Sequence, residues 1–168
     1  MAQEKTALFL GRFQPPHRGH EKAMGWMLKR HAKLRVAIGS SNRKREAENP
    51  FSAKERAVLL KKIIASHVGW KGRVSFSLVP DFELHGKWVE AMLAKFPAGK
   101  FEFYTNNELV RKLFAAKGFV VHPNPQFRRM EMEGRKIRDL ARNGKDISAR
   151  LPKAIQKQAK GLAAIISQ

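Results

Sequence analysis

The 168-residue sequence contains no cysteine. That absence excludes a disulfide framework and any thiolate metal site, and it fits a reducing compartment. No apolar run approaches the length of a membrane span. The opening MAQEKTALFLGR lacks the layout of a secretory signal, so the expectation is a soluble, cytoplasmic protein. Two phosphate-binding fingerprints, G-x-G-x-x-G and G-x-x-x-x-G-K-[ST], are also missing, as are internal repeats and low-complexity segments. Acidic residues are scarce: 14 Asp and Glu face 34 Lys and Arg, a net charge of +20. Residues 1–84 and 85–168 each carry 17 basic and 7 acidic side chains, so no basic tail is responsible. Such a field attracts nucleotides, polyphosphate or nucleic acid, although most of these lysines read as a solvated surface.

What is present reads as globular. Hydrophobic residues make up 43% and charged residues 29%. The length suits one domain over residues 1–168 with a core of useful size. Short apolar runs alternate with helical patterns. Strands are expected at 7–12, 34–39, 73–79, 100–104 and 119–122. Helices are expected near 18–32, after the Ser52/Glu55 capping box, near 86–96, across NELVRKLFAAKG to Gly118, and near 134–143 and 150–166. Strand and helix alternating five times imply an α/β fold: a Rossmann-like parallel sheet flanked by helices on both faces, with C-terminal helices. Ligands of such sheets bind beyond the carboxyl ends of the strands.

The stretch GRFQPPHRGH, residues 11–20, sits at that edge after the first strand. Gly11 and Gly19 allow close backbone approach to a ligand, and Pro15 and Pro16 stiffen the loop. His17 and His20 are three apart at a helix start and can face the same way. Two imidazoles beside positive backbone N–H groups make a polyphosphate cradle, to which Arg12 or Arg18 can add bidentate contacts. A metal would need a third ligand, and only Glu21 is adjacent.

This stretch resembles the H-x-G-H motif of the nucleotidylyltransferase superfamily. Its GRFQP lead-in is similar to that of the archaeal-type nicotinamide-nucleotide adenylyltransferases. The likeness continues in IGSSN, ENPFSAKER, VPDFELHGKWV, YTNNELVRKLF and LPKAI, in order, over about residues 6–155. The resemblance implies a reaction of ATP, accompanied by Mg²⁺, with nicotinamide mononucleotide to give NAD and pyrophosphate. It implies no protein nucleophile, so catalysis rests on positioning and charge stabilisation.

The resemblance assigns His17 and His20 to the ATP phosphates, with Gly11, Arg12, Phe13 and Gly19 in the same loop. It puts Arg138 on the β- and γ-phosphates, where residues alone would suggest a surface helix arginine. Gly134, Ile137 and Arg138 keep the pattern of that segment, but Glu133 and Arg135 replace its usual hydroxyl residues. Ser40 is expected over phosphate or ribose, and Asn107 at the nucleotide. Asp81, Phe82, His85 and Trp88 are expected around the nicotinamide, with Trp88 offering a flat face and His85 standing where relatives often have asparagine. Arg43, Lys44 and Arg45 form a basic cluster that reads as solvated, with closure of that loop over substrate as the alternative, and His31, His67 and His122 read as local hydrogen-bonders. Relatives are commonly homo-oligomers, often hexamers. Two rival functions remain: the same fold acting on nicotinic acid mononucleotide or FMN, and a basic nucleic-acid binder without catalysis. The aromatic residues form no stacking platform that would favour the second.

Overall fold

In the computed structural model, residues 5–82, 85–125, 127 and 132–168 are described, His85 by its backbone only. The strands are β1 (Thr6–Gly11), β2 (Leu34–Ile38), β3 (Val74–Leu78), β4 (Phe101–Tyr104) and β5 (Val121–His122). The α-helices are α1 (Arg18–Leu28), α2 (Ala53–Ala65), α3 (His85–Lys95), α4 (Glu108–Ala115), α5 (Gly134–Arg142) and α6 (Ala159–Ile166). All strand pairs are parallel, in the order β3-β2-β1-β4-β5. This is the expected Rossmann-like α/β fold.

The period-two alternation of β1 divides the core. Ala7 and Phe9 point to one face, with Val36 and Ile38 of β2, and pack against α1, α2, α5 and α6. Leu8 points to the other face, with Ala37 and Phe103, and packs against α3 and α4. The connections after β1 and β2 run outward in one direction. The connection after β3 returns across the sheet to place β4 on the other flank of β1. The strand order therefore reverses between β1 and β4, and the loops leaving these two strands diverge to open a crevice at their carboxyl ends.

Two helix boundaries differ from expectation. The first helix stops at Leu28 rather than near residue 32, because the chain turns into β2 and His31 leaves the helix. The His31 ring then bonds the Lys5 carbonyl at 3.1 Å and the Tyr104 hydroxyl at 2.9 Å. The continuous helix expected over 150–166 is broken. Tight 3-10 turns occupy Ser148–Arg150 and Lys153–Gln158, and only α6 is α-helical. Pro152 opens the second turn. It has no N–H to give, and its carbonyl takes the Ile155 N–H in an i to i+3 bond. His67 pairs with Glu21 and His122 with Glu102, as local hydrogen-bonders would. Among the described residues, no helix is long and apolar enough to cross a membrane.

Candidate active site

The loop that leaves β1 is held from three sides. Arg56, on α2, is completely buried. Its guanidinium donates to the carbonyls of Arg12 (2.7 Å), Gly39 (2.6 Å) and Ser40 (3.0 Å), and its Nε to that of Ser52 (3.2 Å). One side chain thus ties the carboxyl ends of β1 and β2 together. Burial pulls its pKa down to about 10, still leaving it charged at neutral pH. The Gln14 amide pairs with both the N–H and the carbonyl of Phe51 at 2.9 Å. Arg138, on α5, donates to the Gln14 carbonyl at 3.0 Å.

Inside this frame, Phe13 adopts the left-handed conformation (φ 54°), which a bulky side chain rarely takes. Packing holds it there: its ring meets Phe9 edge-on at 5.4 Å and His20 at 4.7 Å. A Cβ on Gly11 would lie 3.0 Å from that ring, so a side chain there would require the packed Phe13 ring to give way by a few tenths of an ångström. At Gly19 a Cβ would lie 3.0 Å from the His17 imidazole, so a side chain there would press on that ring.

His17 precedes α1 and His20 sits in its first turn, with the two rings stacked at 3.6 Å. The backbone N–H of His17 donates to His20 Nδ1 at 3.2 Å. That bond makes Nδ1 the acceptor of the neutral ring, so Nε2 carries the proton. His17 Nδ1 is buried with no hydrogen-bond partner. Burial lowers the His17 pKa from 6.5 to about 3. Burial, and then the neighbouring His17, hold His20 well below the usual imidazole range. The free protein therefore keeps two neutral rings side by side, with donors unspent.

Two clefts open on either side of the β1 tip and share Leu10 and Gly11. The first, about 440 Å³, is lined by Arg12, Ser40, Asp81, Phe82, Trp88, Thr105 and Asn107 among others. The second, about 250 Å³, is lined by His17, Gly19, His20, Asn106, Asn124, Glu133 and Gly134 among others. In the first, the Ser40 hydroxyl donates to Asp81 Oδ1 at 3.1 Å, and Asn42 brackets the Asp81 backbone. Trp88 and Phe114 pack in a T-shaped arrangement with ring centres 5.7 Å apart, and Phe82 stands exposed at the mouth. Asn107 Oδ1 is spent capping α4 through the Val110 N–H at 3.1 Å, which leaves its Nδ2 for a ligand. In the second cleft, the Oδ1 of Asn124 is buried without a partner.

Of the expected site residues, Gly11, Arg12, Ser40, Asp81, Phe82, Trp88 and Asn107 converge on the first cleft. His17, Gly19, His20 and Gly134 converge on the second. Phe13 and Ile137 lie in the core and support the clefts from behind. Arg138 lines neither cleft. It is buried at the base of α5, with Nη1 on Gln14 and Nη2 on Glu48. The His85 side chain lies outside the described residues. Sequence reasoning gave no role to Arg56, Gln14 or Glu48. For Arg56 a signal existed: it shares its helix face with Leu59, Leu60 and Ile63, a core position for a charged residue.

A sequence family described as cytidylyltransferase-like matches residues 8–149. A nicotinamide-nucleotide adenylyltransferase of Aeropyrum pernix is 36% identical over 83% of this chain and 81% of its own length. One from Pyrococcus abyssi is 31% identical over 94% of this chain and 84% of its own. A bifunctional NMN adenylyltransferase/ADP ribose pyrophosphatase of Francisella tularensis, crystallised with AMP and a manganese ion, superposes with a TM-score of 0.77. That match covers 98% of this chain but only 52% of the other, at 16% identity, and it speaks for the fold alone. With the family match spanning most of the chain and the archaeal relatives covering it at this identity, the protein belongs to the cytidylyltransferase-like family.

Proposed function

We propose that this protein transfers the adenylyl group of ATP to nicotinamide mononucleotide, forming NAD and releasing pyrophosphate. The names borne by its relatives point to this reaction, and the observation that carries it is the stacked histidine pair lining the second of two clefts that meet at the β1 tip. An oxygen of the mononucleotide phosphate attacks the α-phosphorus of ATP. The bond from that phosphorus to the bridging oxygen of the β-phosphate breaks, and pyrophosphate leaves with the electron pair. No residue becomes covalently attached.

In this reading the mononucleotide occupies the first cleft, with its ring against Trp88 and its polar groups toward Asp81, Ser40 and the free amide of Asn107. ATP occupies the second cleft, and its α-phosphate lies at the shared β1 tip. His20 Nε2–H and a protonated or tautomerised His17 Nδ1 donate to the phosphate as negative charge gathers on it. Rings that start neutral cost little to bring together, and the incoming anion then favours their protonation. Backbone N–H groups at the start of α1 point the same way. Among the described residues, no three His, Asp or Glu side chains cluster to hold a metal by themselves. Mg²⁺ would enter as part of the ATP complex, bound mainly by phosphate oxygens and water, where it would neutralise the leaving pyrophosphate. The enzyme would act in the cytoplasm as a homo-oligomer, which sedimentation velocity can check.

The test supplies ATP and Mg²⁺ with nicotinamide mononucleotide, nicotinic acid mononucleotide or FMN, and separates products by chromatography. NAD should dominate. A different dinucleotide, formed without NAD, would replace this reading with that acceptor. Replacing both His17 and His20 with alanine should lower turnover by about 10²- to 10⁴-fold. Turnover at the parental rate would refute the role given to the pair.

A further inference from the structure

Two arginines from distant segments converge on a single carboxylate oxygen. Glu48 Oε2 accepts from Arg138 Nη2 and lies 3.6 Å from Arg12 Nη2. Arg12 follows β1 and lines the first cleft, and Arg138 belongs to α5 behind the second. A carboxylate oxygen between two guanidinium groups has the geometry of a bound phosphate oxygen. The arrangement has room to change. The Arg138 side chain is 3% exposed, but that of Glu48 is 54% exposed and free to swing into solvent. The backbone around Glu48 is pinned by other bonds: Arg142 donates to the Ala47 carbonyl, Glu46 and Asn49 exchange backbone bonds at 3.3 and 3.0 Å, and Arg45 donates to the Pro50 carbonyl at 2.7 Å. The Nε of Arg138 is buried with no partner, a donor in reserve beside the occupied one.

We infer that Glu48 is a built-in counter-ion that fills an anion position between Arg12 and Arg138 and has to be displaced when the polyphosphate of ATP binds. The inference rests on the reading of this site as an ATP site. A buried guanidinium without an anion is costly, and burial does push the Arg138 pKa down. Glu48 offsets that cost in the free protein. The same contact then competes with every incoming anion. It weakens the grip on ATP, on stray inorganic anions and on product pyrophosphate alike. Glu48 thereby acts as a specificity-determining residue, because only a ligand that also reaches the histidine pair has enough further contacts to displace it. Its return to Arg138 helps expel pyrophosphate.

The experiment measures binding of inorganic pyrophosphate and of ATP by calorimetry, for the parental protein, Glu48→Gln and Glu48→Ala. Both variants should bind both anions more tightly, by about fivefold for a half-exposed ion pair, with the alanine variant showing the larger effect. The KM for ATP should fall in step, and product inhibition by pyrophosphate should strengthen. Glu90→Gln, on the opposite face of the sheet, removes the same charge and controls for the overall field. If it tightens binding as much as Glu48→Gln, or if Glu48→Gln leaves binding unchanged or weaker, the inference falls. The two proposals fail separately. A parental protein that makes no dinucleotide, yet yields a tighter Glu48→Gln complex with pyrophosphate, loses the reaction and keeps the counter-ion.

Discussion

The histidine pair shows how a residue's chemistry is set by its surroundings. An isolated imidazole titrates near neutrality, but His17 and His20 are stacked, covered by Phe13 and held uncharged. The same depression makes stability depend on pH. Below pH 6.5 the unfolded chain binds protons on these rings that the folded chain refuses, so stability is complete above 6.5 and is lost as pH falls toward 3. Between pH 6.5 and 5.5 the His17 ring should cost about 1 kcal/mol, and His20 adds to the loss in the same direction. Thermal melts should therefore fall over that interval, and the double variant His17→Gln with His20→Gln should flatten most of the slope. An unchanged slope would show that the rings take up protons in the folded protein as readily as in the unfolded chain. ATP binding should reverse the depression, because the anion favours the charged ring, and proton uptake on binding reports it. The pair and its spacing were legible in H-x-G-H. The stacking and the neutral state were not, because both depend on which side chains cover the loop.

At the scale of elements, the start of α2 organises the site. Ser52 and Glu55 form the expected capping box, with the Glu55 carboxylate on the Ser52 N–H at 2.7 Å. Arg45, and then the Ser52 contacts, pull the Glu55 carboxyl down to about 2, so the box persists throughout the neutral range. One turn on, Arg56 joins the loops after β1 and β2. Replacing it with lysine puts a point charge where a planar fork serves several carbonyls. Arg56→Lys should cost about 2–4 kcal/mol of stability in urea unfolding, because buried carbonyls lose their donor. It should also raise the KM for both substrates, since both clefts share the β1 tip. Full stability in that variant would show that the carbonyls find other partners. The boundaries misread from sequence have local causes with distant origins. Pro152 precedes the 3-10 stretch Lys153–Gln158, a mark visible in the local sequence, whereas His31, just past the end of α1, bonds Tyr104, 73 residues away.

For the whole molecule, the +20 charge is the dominant long-range term. It should draw ATP toward the sheet edge and weaken that attraction as salt is added. The KM for ATP should rise about three- to tenfold between 50 and 300 mM KCl, with little change when a neutral osmolyte replaces the salt. A KM indifferent to salt would confine the charge to solubility. By itself the amino-acid order determined the alternation of strand and helix, the capped start of α2 and the glycine–histidine bend. Each of these depends on residues a few positions apart. Tertiary structure alone decided the strand order β3-β2-β1-β4-β5, and with it the reversal that opens two clefts at one strand tip. It also decided that Arg56 bridges two loops and that Glu48 meets Arg138 across 90 positions of chain. The physical reason is the range of the contacts. Hydrogen bonds and side-chain periodicity within an element leave a repeating local pattern, whereas an ion pair or a buried donor between distant segments leaves none until the chain has closed around it.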